Sequence, residues 1–143
     1  MNSTNDGGLR DGAHDLAMPA VLVVDDDDDA RVACQLILEK EGYRIVTACS
    51  GEAALRAHRL RPQAIGLIVL DMMMPRMNGG GFLALKARVA GLAQVPVVVL
   101  SATPEVGRAL ESDDVKAVLA KPVQLAELLA AVERWVVPQA ARH

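Results

Sequence analysis

Leu67-Ile68-Val69-Leu70-Asp71-Met72-Met73-Met74-Pro75-Arg76-Met77-Asn78-Gly79 is a short, continuous apolar run that ends abruptly in a carboxylate and passes into a loop bounded by Pro and Gly. An apolar run without alternation is the signature of a strand buried on both faces, as in a parallel sheet, and Asp71 is then delivered to a loop mouth. Val21-Leu22-Val23-Val24 followed by Asp25 and Asp26 repeats the pattern. If the two strands lie parallel and adjacent, Asp25, Asp26 and Asp71 converge. Two carboxylates about 4 Å apart repel by roughly 4 kcal/mol at an effective dielectric near 20. Such a cluster therefore holds a proton or binds a cation, and hard oxygen donors suit Mg2+.

The bulk properties narrow the classes. With 143 residues the chain makes one domain with a real core. Its hydrophobic content is 52% with only Tyr43, Phe82 and Trp135 as aromatics, so aliphatic side chains and Met must build that core. A net charge of -3 without a basic cluster gives no footprint for direct nucleic-acid binding. No apolar run approaches membrane-spanning length and no basic-then-apolar leader opens the chain, which predicts a cytoplasmic protein without membrane insertion. Cys34 and Cys49 fit no metal spacing and are expected to be buried free thiols.

In chain order, residues 1–19 read as a flexible tail, 20–137 as the domain and 138–143 as a C-terminal tail. After the first strand, Asp27, Asp28 and Asp29 stand at a helix entry, where the dipole favours anions. Ala30, Ala33, Cys34, Ile37 and Leu38 follow at helical spacing, and Gly42 closes the helix. An EF-hand starting at Asp25 fails, because Ala30 and Leu36 occupy the places that need Gly and Glu. Tyr43 to Ala48 predicts a second strand, Ser50 caps a helix to about Leu60, and His58 is expected on its surface. Ala64 to Gly66 lengthen the loop into the third strand. Gly79-Gly80-Gly81 lacks the Lys-Ser/Thr of a phosphate cradle and reads as a turn into a helix from Phe82 to about Ala90. Val95 to Leu100 is a fourth strand ending at Ser101, Glu105 to about Glu111 a short helix, and Val115 to Ala120 a fifth strand ending at Lys121-Pro122. Leu125, Leu128, Leu129, Val132 and Trp135 or Val136 form the inward stripe of the last helix.

Leu22-Val23-Val24-Asp25-Asp26, Leu70-Asp71 with Met74-Pro75 and Gly79, Ser101-Ala102 and Lys121-Pro122, in that order, resemble the receiver domain of bacterial two-component response regulators. Five strands alternating with five helices predict an α/β fold, a doubly wound parallel sheet of flavodoxin-like order 2-1-3-4-5, with ligands at the carboxyl ends of strands one and three. The resemblance implies phosphoryl transfer from a sensor histidine kinase or histidine phosphotransfer protein onto Asp71. It implies Mg2+ held by Asp25, Asp26, Asp71 and the backbone carbonyl of Met73. Lys121, on a cis bond to Pro122, is to pair with one phosphoryl oxygen and Ser101 with another, while Met73 and Thr103 occupy positions that tune the phosphoaspartate lifetime.

The chain departs from the family at Val118, where an aromatic switch is usual, and at Val123, where Phe is common. Coupling through ring rotation is therefore excluded, and a weaker or differently routed conformational readout is expected. The resulting expectation is a stand-alone, single-domain regulator that signals through a downstream protein partner or a phosphorelay and is no enzyme beyond its own phosphoryl turnover. The competing readings are a phosphate-independent binding module, a receiver segment of a hybrid kinase, and a small phosphatase, the last lacking a general acid and a substrate cap. A homodimer through the last helix is compatible with all of them.

Overall fold

A computed structural model describes residues 19–60, 62, 64–72, 79–103, 105 and 114–136. The elements are β1 (Ala20–Val24), α1 (Asp28–Lys40), β2 (Ile45–Ala48), α2 (Gly51–Leu60), β3 (Ile65–Asp71), α3 (Gly79–Lys86), β4 (Val97–Ser101), β5 (Val115–Ala120) and α4 (Leu125–Trp135). The strands form one parallel sheet in the order β2-β1-β3-β4-β5, as the alternation of elements predicts. The helix expected from Glu105 lies almost wholly outside the described residues.

Every residue of β1, β3 and β4 is buried, which is why these segments carry no polar alternation. Successive side chains feed opposite faces of the sheet. Leu22, Val24, Ile68, Leu70, Val97 and Val99 pack with Ala54, Leu55 and Phe82 under α2 and α3. Val21, Val23, Leu67, Val69, Val98 and Leu100 meet Cys34, Leu38, Leu128 and Val132 under α1 and α4.

Two register shifts lie at the amino-terminal end of the sheet. Ala20 pairs with Ile65 but Val21 with Leu67, so Gly66 is the extra residue, and Ile65 and Ile68 thereby reach the same core. The lengthening expected in a loop is thus absorbed inside β3. At the second shift Val97 pairs with Val115 but Val98 with Ala117, leaving Lys116 as the extra residue on the edge strand. Lys116 Nζ stands 5.7 Å from the Trp135 ring centroid, and the Arg134 guanidinium 4.9 Å from it, so the indole sits among cations while packing on the core.

The helix ends follow from local chemistry. Asp27 accepts the Ala30 N–H at 3.1 Å, Asp28 and Asp29 occupy the first turn of α1 and Lys40 the last, each charge complementing the dipole. Gly42 takes φ +97° just beyond that helix, a backbone region that favours glycine. Ser50 Oγ accepts the Ala53 N–H at 3.0 Å at the start of α2. The three glycines Gly79 to Gly81 form the first turn of α3 rather than a turn before it, so this helix begins and ends earlier than its apolar residues suggest.

Four other expectations are corrected. Cys34 is buried but Cys49 is exposed, since it follows the last residue of β2 and precedes the Ser50 cap. Leu125 is 52% exposed, while Ala131 joins Leu128 and Val132 inside. On α1 only Cys34 and Leu38 are buried, because an open cavity of about 360 Å³ separates Ala30, Ala33 and Ile37 from Val123, Leu125 and Leu128. His58 is half-buried: its Nε2 lies 3.1 Å from where a Cβ on Gly91 would stand. Gly91 itself has φ +90°, so glycine there serves both the backbone and the imidazole.

Candidate functional site

The register of the strands aligns their carboxyl ends. Val24 pairs with Leu70, Asp71 with Leu100 and Ser101 with Ala120, so the residues that end each strand meet at one edge of the sheet. The Lys121 N–H donates to the Ser101 carbonyl at 2.9 Å and the Met72 N–H to the Leu100 carbonyl at 2.9 Å, carrying the ladder one step into the loops. Asp25, Asp26 and Asp71 are thereby brought together with ligand oxygens all within 4.8 Å of one another. Asp25 and Asp71 are buried and Asp26 is exposed, so the cluster opens to solvent on one side.

Each acid has a defined support. Asp25 Oδ1 accepts the Asp27 N–H at 2.9 Å, and the Asp25 carbonyl accepts Arg31 Nη1 at 2.8 Å. Arg31 also pairs with Asp28 on the same helix, so its guanidinium staples the β1–α1 junction. Arg31 was not singled out in the sequence, although its spacing of three from Asp28 on a helix is a legible pairing signal. Lys121 Nζ donates to Asp71 Oδ1 at 2.7 Å, and the Lys121–Pro122 bond is cis. Ser101, buried at the end of β4, donates its hydroxyl to the Thr103 carbonyl at 2.9 Å and accepts the Thr103 N–H at 3.1 Å. Met73 lies outside the described residues.

The electrostatics follow from this packing. Burial raises the Asp25 carboxyl above its ordinary range and the Asp71 charge adds to this, while the Asp27 N–H and Lys121 oppose it. For Lys121, burial pulls downward, but the hydrogen bond to Asp71 and the charges of Asp71, Asp25 and Asp26 outweigh it and hold the ammonium above its usual value. The site is thus an acid cluster with one fixed cation on Asp71 and surplus negative charge at Asp25.

A chain whose sheet order, acid cluster and strand-end lysine are arranged in this way can be set beside known proteins. The profile of the response regulator receiver domain matches residues 21–133. The chain belongs to the response regulator receiver family. It is 38% identical over 112 residues to the transcriptional regulatory protein AfsQ1 of Streptomyces coelicolor, covering 75% of this chain and 46% of that protein. The chemotaxis protein CheY4 of Vibrio cholerae superposes with a TM-score of 0.74 at 27% identity, covering 83% of this chain and 99% of that one. The receiver domain of the sensor histidine kinase PA1611 of Pseudomonas aeruginosa, described with magnesium coordinated in its active-site cleft, superposes with a TM-score of 0.69 at 25% identity, covering 84% and 98%. The chain spans about half the length, or less, of the curated relatives it matches first. No described helix is long and apolar enough to cross a membrane.

The raised Asp25 carboxyl has a measurable consequence for this receiver. A carboxyl whose folded value lies above its unfolded value contributes stability that is fully present below the ordinary value of 3.8 and is lost as pH rises through the folded value. At neutral pH without divalent cations, Asp25→Asn is therefore expected to stabilise the fold by on the order of 1 kcal/mol, Lys121 already offsetting part of the repulsion. Asn keeps an oxygen for the Asp27 N–H. Urea melts of both proteins should show the gap closing as pH falls toward 4; a variant less stable at pH 7 would contradict the assignment.

Proposed function

We propose that the chain accepts a phosphoryl group on Asp71 in a Mg2+-dependent reaction, from the phosphohistidine of a sensor kinase or phosphotransfer protein, and signals by binding a protein partner or by phosphorelay. The carrying observation is the convergence of Asp25, Asp26 and Asp71 with Lys121 held on Asp71. An Asp71 carboxylate oxygen forms the new O–P bond as the N–P bond of the donor breaks, and the departing imidazole keeps the electron pair. Lys121 can follow the phosphoryl oxygens without leaving the site, since its ammonium already faces the nucleophile. The Ser101 hydroxyl must exchange its bond to Thr103 for one to a phosphoryl oxygen, a local rotation at the end of β4.

The residues fit a hard divalent cation: three carboxylates offer oxygen donors at mutual distances one ion can span, with an exposed side for retained water. When bound, Mg2+ supplies charge neutralisation for the transferring phosphoryl group. Asp25 and Asp26 would hold it together with Asp71, and the Met73 carbonyl is the remaining candidate ligand.

Val118 packs half-buried on the core under α2 and α3, and Val123 on the opposite one, each as an ordinary aliphatic residue. This supports a readout that does not pass through a rotating ring. The reading makes the chain cytoplasmic and no enzyme beyond its own phosphoryl turnover. The receiver of a sensor kinase among its neighbours supports a hybrid-kinase segment as the second reading, with the same chemistry at Asp71.

Intact mass after incubation with acetyl phosphate tests the proposal. One phosphoryl adduct is expected with Mg2+ and none with a chelator. Equal adduct under both conditions, or none where another receiver reacts, would overturn it.

A further inference from the structure

Opposite the acid cluster, at the amino-terminal end of the sheet, α2 and the segment after α3 flank a second, open cleft of about 390 Å³, with Arg59 and Arg88 exposed on its rim. The seven residues of β3 separate the two ends by roughly 20 Å at about 3.3 Å per residue. Its wall is apolar: Leu55 is buried, Val89 half-buried, and Pro62 lies at its edge. Its polar groups are all basic in type, namely His58, Arg59 and Arg88. No described residue forms an ion pair with either guanidinium. The His58 imidazole lies over Gly91, its Nε2 3.1 Å from where a Cβ there would stand.

We propose that this cleft binds a nucleoside phosphate, the phosphates between the Arg59 and Arg88 guanidiniums and the base against the Leu55, Pro62 and Val89 wall. Three observations favour that class. The volume lies within the range of roughly 300–1,000 Å³ usual for small-ligand sites. Two planar guanidiniums from different elements suit phosphate oxygens, which they can engage through paired N–H groups. An apolar wall beside them gives a nucleoside a surface that inorganic phosphate would not use. In a chain of net charge -3, the acid-rich mouth at one end of the sheet and this basic cleft at the other differ in the charge they attract, so the two sites are electrostatically distinct.

Calorimetric titration of the full chain with ADP, in a chelating buffer of low ionic strength, tests the proposal independently of phosphoryl acceptance at Asp71. Saturable one-to-one binding is expected, weakening at least fivefold on raising salt from 50 to about 300 mM as exposed charges are screened. The Arg59→Gln, Arg88→Gln double variant should lose at least tenfold in affinity, while Asp71→Asn should bind like the parent. Adenosine and pyrophosphate should each bind at least tenfold more weakly than ADP. No saturation by 5 mM ADP, or unchanged affinity in the double variant, overturns the site. Pyrophosphate binding as tightly as ADP overturns the nucleoside assignment in favour of a free phosphate ion, and tighter binding of an Asp-rich hexapeptide overturns it in favour of a protein partner.

Discussion

Asp71→Asn is expected to abolish the phosphoryl adduct, with no carboxylate taking over. The amide has no anionic oxygen to attack phosphorus, and the remaining acids are placed for other tasks. Asp25 is buried with Oδ1 accepting the Asp27 N–H, and Asp26 stands exposed at the open side. Only Asp71 carries the lysine: Nζ of Lys121 is 2.7 Å from its Oδ1, where it can offset charge developing on the transferred group. Loss should be at least a hundredfold in the rate of adduct formation, the usual scale for removing a participating group. Intact mass and peptide mapping of parent and variant check this, and an adduct at Asp25 or Asp26 at comparable rate would show that geometry does not select Asp71. The fold should survive, because Asn keeps an oxygen for Lys121 and removes a charge from the cluster.

Lys86→Ala is expected to be strongly destabilising, at about 3–4 kcal/mol. Lys86 is fully buried at the end of α3, where its Nζ donates to the Ala93 carbonyl at 2.9 Å and to Asp114 Oδ2 at 3.3 Å. One ammonium thus ties the segment after α3 to the residue before β5, whose carbonyl in turn accepts the Val97 N–H at 2.8 Å. Burial lowers the lysine's pKa and Asp114 opposes this, so the ammonium is kept in place by partners rather than by solvent. Truncation removes three carbons of a packed four-carbon stem, two hydrogen bonds and the cation facing Asp114. Lys86→Met keeps most of the stem and should cost roughly half as much. Urea denaturation of the three proteins measures the series; an Ala variant within 1 kcal/mol of the parent would mean that water replaces the ammonium.

These two residues differ in how far the sequence reveals them. Asp71 follows an apolar run, and its position at a strand end can be read from the local pattern alone. Lys86 sits in a helix between Leu85 and Ala87 with nothing in its neighbours to mark it as buried. Its partners are seven and twenty-eight residues away, so only the folded chain brings them to it. Cys49 and Leu125 are exposed against expectation for a related reason: apolar character predicts burial on average, while exposure at an element end depends on what crosses over it.

By itself, the sequence determined the order of elements, the parallel sheet and the set of acids at its carboxyl edge. Strand burial and helix capping are written in runs of a few residues, and a parallel sheet threaded by right-handed crossovers leaves few ways to arrange five such strands. Only the tertiary structure decided that Gly66 and Lys116 are absorbed as extra residues within strands, that Arg31 holds the Asp25 carbonyl, and that His58 rests on Gly91 in a cleft lined by Arg59 and Arg88. Register shifts and the cleft between α2 and the segment after α3 arise from contacts between segments distant along the chain. Their energies depend on the packing of both partners at once, which no local pattern encodes.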